Sequence, residues 1–277
     1  MAARAIGESL AYINWTVLTA LAAGSFGAVV LLCLRTEATR GFLAFTAACA
    51  ATLGVGALAS DLALPAPGPA LAIAATPGLD WLRRIALAVF VALAIAEVVV
   101  VARRGRPGPA GLAGIAAICA ALLLGAFGWS GGLPRAIPLA IQLLALSAAA
   151  GGVLAGMILG HWYLVTPRLP EAPLVLLTRV LTAVVAIQLV LFVAWTATGS
   201  GGGHGAFEAL VGQWALFVWL RLLIGLVFPV VVSWAAVQTA RTRSMESATG
   251  LLYIDVGAIL AGAILAAGLY FGGGLLA

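Results

Sequence analysis

Eight stretches of this 277-residue chain run apolar for about 20 residues or more: 12–34, 41–60, 84–102, 110–128, 136–163, 173–198, 209–240 and 248–272. A helix rises about 1.5 Å per residue, so about 20 apolar residues cross the roughly 30 Å hydrocarbon core of a bilayer. Inside lipid, every backbone N–H and C=O must be satisfied by the protein itself, which leaves helices and closed barrels. Long alternating strands are absent from the sequence, so a β-barrel is excluded. The expected fold is all-α: a polytopic integral membrane helical bundle with about eight transmembrane helices, forming one unit over residues 1–277. Residues 61–80 interrupt the pattern with four prolines. They read as an apolar loop lying on the membrane surface or re-entering it.

Charged residues make up 8% of the chain against 64% hydrophobic, whereas soluble domains carry about 25% charged residues. Such a chain cannot cover a water-facing surface, and the lipid bilayer is its first partner. The net charge of +5 does not point to nucleic acid, because the arginines sit between apolar runs and form no basic face. All 14 basic residues are arginine. With the abundance of Ala and Gly, this suggests a GC-rich bacterial coding sequence and hence a bacterial inner membrane. Cys33, Cys49 and Cys119 stand alone in three separate runs, so no metal site is expected.

Eight spans put both termini on one side. The odd-numbered connections hold Arg35, Arg40, Arg103, Arg104, Arg106, Arg168, Arg241 and Arg243, and the other side holds Arg4, Arg83, Arg84 and Arg135. The positive-inside rule then places the odd connections in the cytoplasm and both termini outside. Trp15, Trp81, Trp129 and Trp195 fall at span ends on that outer side, where an aromatic belt would sit. Close helix contact in lipid depends on small residues, and Gly152, Gly156 and Gly160 line one face of the fifth run.

Ionisable groups at membrane depth cost about 2.5–3.5 kcal/mol each on insertion scales. Arg221 and Arg179 each lie about one membrane span from a run end, a spacing that lets them snorkel to headgroups. Glu97 and Asp255 are too short to do so. Each must be protonated, paired, or turned to a polar cavity, and Arg179 is a candidate partner for Asp255. His161 ends the fifth run beside Trp162 and Tyr163. With the expected orientation, His161, Tyr163, Glu97, Asp255 and Arg179 all fall in the cytoplasmic half and are candidates for one polar site.

Such a set suits a quinone headgroup, which asks for hydrogen-bonding groups at its carbonyls, a proton-passing acid and an apolar slot for its tail. Haem b is a weaker fit. It needs two axial ligands, typically histidines, and the second histidine, His204, is expected across the membrane in a glycine-rich, flexible linker. The layout is similar to that of the quinol-reactive membrane subunits of polysulfide reductase and nitrite reductase type, a likeness of architecture. It implies partner subunits carrying the redox centres. The function expected is therefore the membrane subunit of an electron-transfer complex handling quinone or protons. A membrane anchor without chemistry, or a small-solute or ion transporter, are the alternatives.

Overall fold

All eight apolar runs are long helices in the computed structural model, which describes residues 2–69, 71–74, 76–166, 168–202 and 205–277. After a short lead-in, α1 (Ala2–Glu8), come α2 (Leu10–Arg35), α3 (Arg40–Leu62), α4 (Pro77–Arg104), α5 (Pro109–Trp129), α6 (Leu133–Val165) and α7 (Ala172–Thr198). The seventh span is composite: α8 (Ala215–Leu222), a π-helical turn Leu223–Val227 and α9 (Phe228–Arg241). The last span is α10 (Met245–Gly273). The protein is an integral membrane helical bundle.

Proline and glycine set the boundaries. Pro77, Pro109, Pro134 and Pro173 open α4, α5, α6 and α7, where the missing N–H has no helical partner to lose. This is why α4 begins at Pro77, a turn and more before the expected start at 84. The π turn has the same origin. Pro229 cannot donate to the Gly225 carbonyl four residues back, and Phe228 N–H reaches Leu223 instead.

Short connections at 36–39, 105–108, 166–171 and 242–244 gather at one end, hereafter the arginine-rich end. The opposite end carries the two longest connections, after α3 and after α7, and the short turn between α5 and α6. There the loop after α3 is tied to neighbouring helix ends. Ala72 N–H bonds Phe271 O at 2.9 Å and Ala74 N–H bonds Trp129 O at 3.1 Å, while the Tyr12 hydroxyl bonds Pro65 O at 2.7 Å. The glycine-rich loop is also held: Phe207 N–H bonds Thr196 O at 2.7 Å and Leu276 N–H bonds Gly201 O at 2.7 Å. Its glycines serve close approach, since a Cβ at Gly202 would strike the Gly274 carbonyl. His204 lies outside the described residues.

The centre of the bundle is the crossing of α2 and α6. Here the backbones touch: a Cβ on Gly24 would lie 2.8 Å from Gly151 Cα, and one on Gly151 would strike the Gly24–Ser25 backbone. The expected ladder is one residue off this contact. Gly160 does face α10, 2.7 Å from Thr249 Oγ1 by the same measure, but Gly156 meets only side chains of Leu252 and Leu177, and Gly152 has Leu181 at 3.9 Å. A second close crossing joins Gly225 to Gly262 of α10, where a Cβ on either glycine would lie 2.6 Å from the Cα of the other.

Gly24→Leu or Gly151→Leu should therefore force the central helices apart, lowering unfolding free energy by about 1–3 kcal/mol. Gly257→Leu, which meets nothing within 4 Å, should leave thermal stability unchanged. Thermal melts of the purified variants check the contrast.

Candidate functional site

The sequence candidates occupy separate places. Glu97 is fully buried on α4, and both its oxygens accept the Gly108 N–H, at 3.0 and 3.3 Å. Gly108 is the N-cap of α5 and offers no side chain of its own to the orphan donors there. Glu97 supplies a carboxylate to a helix N-terminus from the neighbouring helix, where charge and dipole agree in sign. A Cβ on Gly111 would lie 3.0 Å from Glu97 Oε1, so the small residue makes the approach possible. The acid that looked stranded in hydrocarbon is a cap.

Tyr163 is buried at the end of α6, and its hydroxyl bonds the Pro170 carbonyl across the next turn. His161 is exposed one turn from that end, beside Trp162, which packs on Gly41 and Phe42 of α3. Arg179 is exposed on α7 and makes no ion pair among the described residues. It does not reach Asp255.

Asp255 stands alone. Its side chain is fully buried, and neither carboxyl oxygen has a hydrogen-bond partner among the described residues. It lies 10 residues into α10, about 15 Å along the helix axis from the arginine-rich end. Because Gly160 meets Thr249 and Gly156 meets Leu252, the antiparallel register puts Asp255 level with Val153 and Leu154 of α6. Glu97 is elsewhere: α4 packs on α3 and α5, α10 on α6 and α9, and the α2–α6 pair stands between.

Two polar clusters escaped the sequence reading. Arg221 does not snorkel. It is 2% exposed, with Nε to Ala277 O at 3.2 Å, Nη1 to Gly225 O at 3.0 Å and Nη2 to Gln188 Oε1 at 2.7 Å. The Gly225 carbonyl is the one that Pro229 leaves free, so the local break in the helix supplies an acceptor for the buried cation.

The second cluster lies under the loop at 63–76. Buried Arg83 holds Asp61 with Nε at 2.6 Å and Nη2 at 3.3 Å, and Asp80 with Nη1 at 2.6 Å. Arg84 adds a bond to Asp61 at 3.1 Å. The Arg83 guanidinium also sits 4.6 Å from the Trp129 ring and 5.7 Å from that of Trp15. Two arginines and two aspartates thus neutralise one another within an aromatic box. A cavity of about 320 Å³ opens beside it, lined by Tyr12, Pro65, Asp80, Arg84 and Trp129. Trp15 and Trp129 therefore turn inward and pack on each other at 4.8 Å, whereas Trp81 stays exposed as a belt residue would. The Asp80–Arg83 spacing of a helical ion pair was legible; that Asp61 would complete it from across the loop was not.

An apolar groove of about 230 Å³ lies between α5 and α7, floored by the α2–α6 crossing and lined in part by Gly27, Cys119, Ser147, Gly152 and Val180. Gly152, at one edge of the groove, lies one to two residues along α6 from the level of Asp255. Comparison with models of known protein families gives no match, and comparison with curated protein sequences gives none.

Asp61→Ala should leave Arg83 and Arg84 facing each other without their shared carboxylate, at a cost of about 3–5 kcal/mol. Glu97→Leu should uncap α5 at a cost of about 1–2 kcal/mol, with Glu97→Gln recovering part of it. Both appear as lowered melting temperatures of the purified protein.

Proposed function

We propose that this chain is the membrane subunit of an electron-transfer complex, and that Asp255 passes protons to or from a quinone in the bilayer. The observation that carries the reading is the isolation of Asp255. A buried carboxyl with no partner destabilises the fold whichever protonation state it adopts. Glu97, Arg83 and Arg221 each repay burial with named hydrogen bonds; Asp255 holds nothing together. A group that stabilises nothing is retained for what visits it, and a carboxyl in hydrocarbon suits a proton.

The apolar groove supports the quinone half of the proposal. Its Gly152 edge lies near the depth of Asp255, and it offers a slot for an isoprenoid tail. Electrons come from a partner subunit, since the helices carry no Cys or His cluster among the described residues. His161, exposed near the arginine-rich end, and the cavity of about 370 Å³ lined by Tyr163, Ser244 and Glu246 stand where protons would enter. Quinone takes precedence over haem b in this reading, because His161 has no second histidine opposite it on the described helices. One observation favours a membrane anchor instead: Glu97 and Tyr163, two of the five candidates, already serve as structural hydrogen-bond partners.

The test is the complex purified from native membranes, assayed for quinone-linked turnover and proton uptake. Asp255→Asn and Asp255→Leu should both fold with stability within about 1 kcal/mol of the parent or above it, because Leu removes an unpaired polar group and Asn exchanges it for one that cannot ionise. Both should lose most proton-coupled turnover. Full turnover in Asp255→Leu would sink the proposal and leave the anchor.

A further inference from the structure

A different group of charges, at the arginine-rich end, is used by none of the contacts described so far. The turn between α2 and α3 packs on the turn between α4 and α5. Gly105, at φ 65°, makes this possible: a Cβ there would lie 2.8 Å from Arg40 Cγ, so the Arg40 stem lies across the glycine. The two turns enclose a cavity of about 650 Å³ lined by Arg40, Arg104, Arg106 and Glu37, with Cys33 and Leu34 from the last turns of α2. Arg35 and Arg103, both exposed, flank it from the ends of α2 and α4.

None of these five arginines, nor Glu37, forms an ion pair or side-chain hydrogen bond among the described residues. Three arginines and one glutamate line the cavity and two more arginines stand beside it, an excess of positive charge that no ion pair among the described residues balances. The contrast with Arg83 and Arg221 is direct, since those cations are fully bonded by the protein. Two helix starts adjoin the cavity: that of α5 is occupied by Glu97, while that of α3 begins at Arg40 itself and its N-cap Thr39 makes no side-chain cap bond, so the α3 dipole adds to the guanidinium groups in favouring an anion.

We propose that this cavity binds the phosphate headgroup of an anionic phospholipid. Arg40, Arg104 and Arg106 are the groups that take the phosphate oxygens. Position favours a lipid over a free anion: the cavity sits where α2 and α4 leave the hydrocarbon, and Leu34, 58% exposed, continues its wall toward the acyl region. Concavity favours a headgroup over an acidic protein, which would also engage Arg168 and Arg241 on the other turns of this end. Basic recesses between transmembrane helices are a general means of holding anionic lipids.

The experiment uses the full chain in neutral detergent, with phosphatidylglycerol, phosphatidylcholine or inorganic phosphate added. Phosphatidylglycerol should raise the melting temperature and remain bound in native mass spectra, and phosphatidylcholine should do neither. The triple variant Arg40→Gln, Arg104→Gln, Arg106→Gln should retain at least tenfold less phosphatidylglycerol. The double variant Arg168→Gln, Arg241→Gln, with charge removed from the same end, should retain it as the parent does. Mass-spectral retention keeps the comparison decisive even if the triple variant melts lower without lipid. Equal retention by the triple variant and parent overturns the proposal, as does equal binding of both lipids. Displacement of phosphatidylglycerol by millimolar inorganic phosphate, with the same thermal shift, assigns the cavity to a free anion and also overturns it.

Discussion

The requirement that lipid imposes on every polar group governs this structure. In water, an unmatched donor or charge turns to solvent; in hydrocarbon it must be matched by the protein or be excluded. The bundle meets that demand with local devices. Arg83 is enclosed by two aspartates and two indoles, Arg221 by an amide and two carbonyls, and Glu97 by the exposed amide at the start of α5. In two of these three cases a glycine or proline makes the contact possible. Pro229 frees the carbonyl that Arg221 uses, and Gly111 leaves room for Glu97.

Small residues do the remaining work. Apolar burial gives little drive between helices already in an apolar solvent, so cohesion comes from close packing. The Gly24–Gly151 and Gly225–Gly262 contacts bring backbones within van der Waals reach and fix which helices are neighbours. Because α2 and α6 occupy the centre, α4 and α10 end up on different flanks. That arrangement, more than the depth of any single residue, decides which polar groups can meet.

The fold was legible because its signal is one-dimensional. A run of apolar residues long enough to cross a bilayer announces itself regardless of its neighbours, and all eight runs became spans. The candidate site was legible only in depth. Sequence places Glu97 and Asp255 toward the same end, but the azimuth around the bundle depends on helix neighbours, which no periodicity in these nearly uniform helices specifies. The glycine ladder illustrates the limit: Gly151 and Gly152 are adjacent, yet only Gly151 touches α2, and a face rotated by one residue changes the partner helix. Likewise Arg221 and Arg179 have the same spacing to a span end, while one is enclosed and the other exposed.

Glu97 and Asp255 make the final distinction. Both are lone acids among Val, Ala, Leu and Ile, both are fully buried, and a sequence reading treats them alike. Glu97 stands near the end of its helix, within reach of a helix start that needs an anion, so its charge has a fixed structural use. Asp255 lies a further turn into the membrane, where neighbouring helices run past without ending and so offer no free backbone donors. A carboxyl at that level can be matched only by another side chain, and none among the described residues bonds it. What separates a structural acid from a candidate working one here is the position of the nearest helix end, and that follows from packing rather than from residue type.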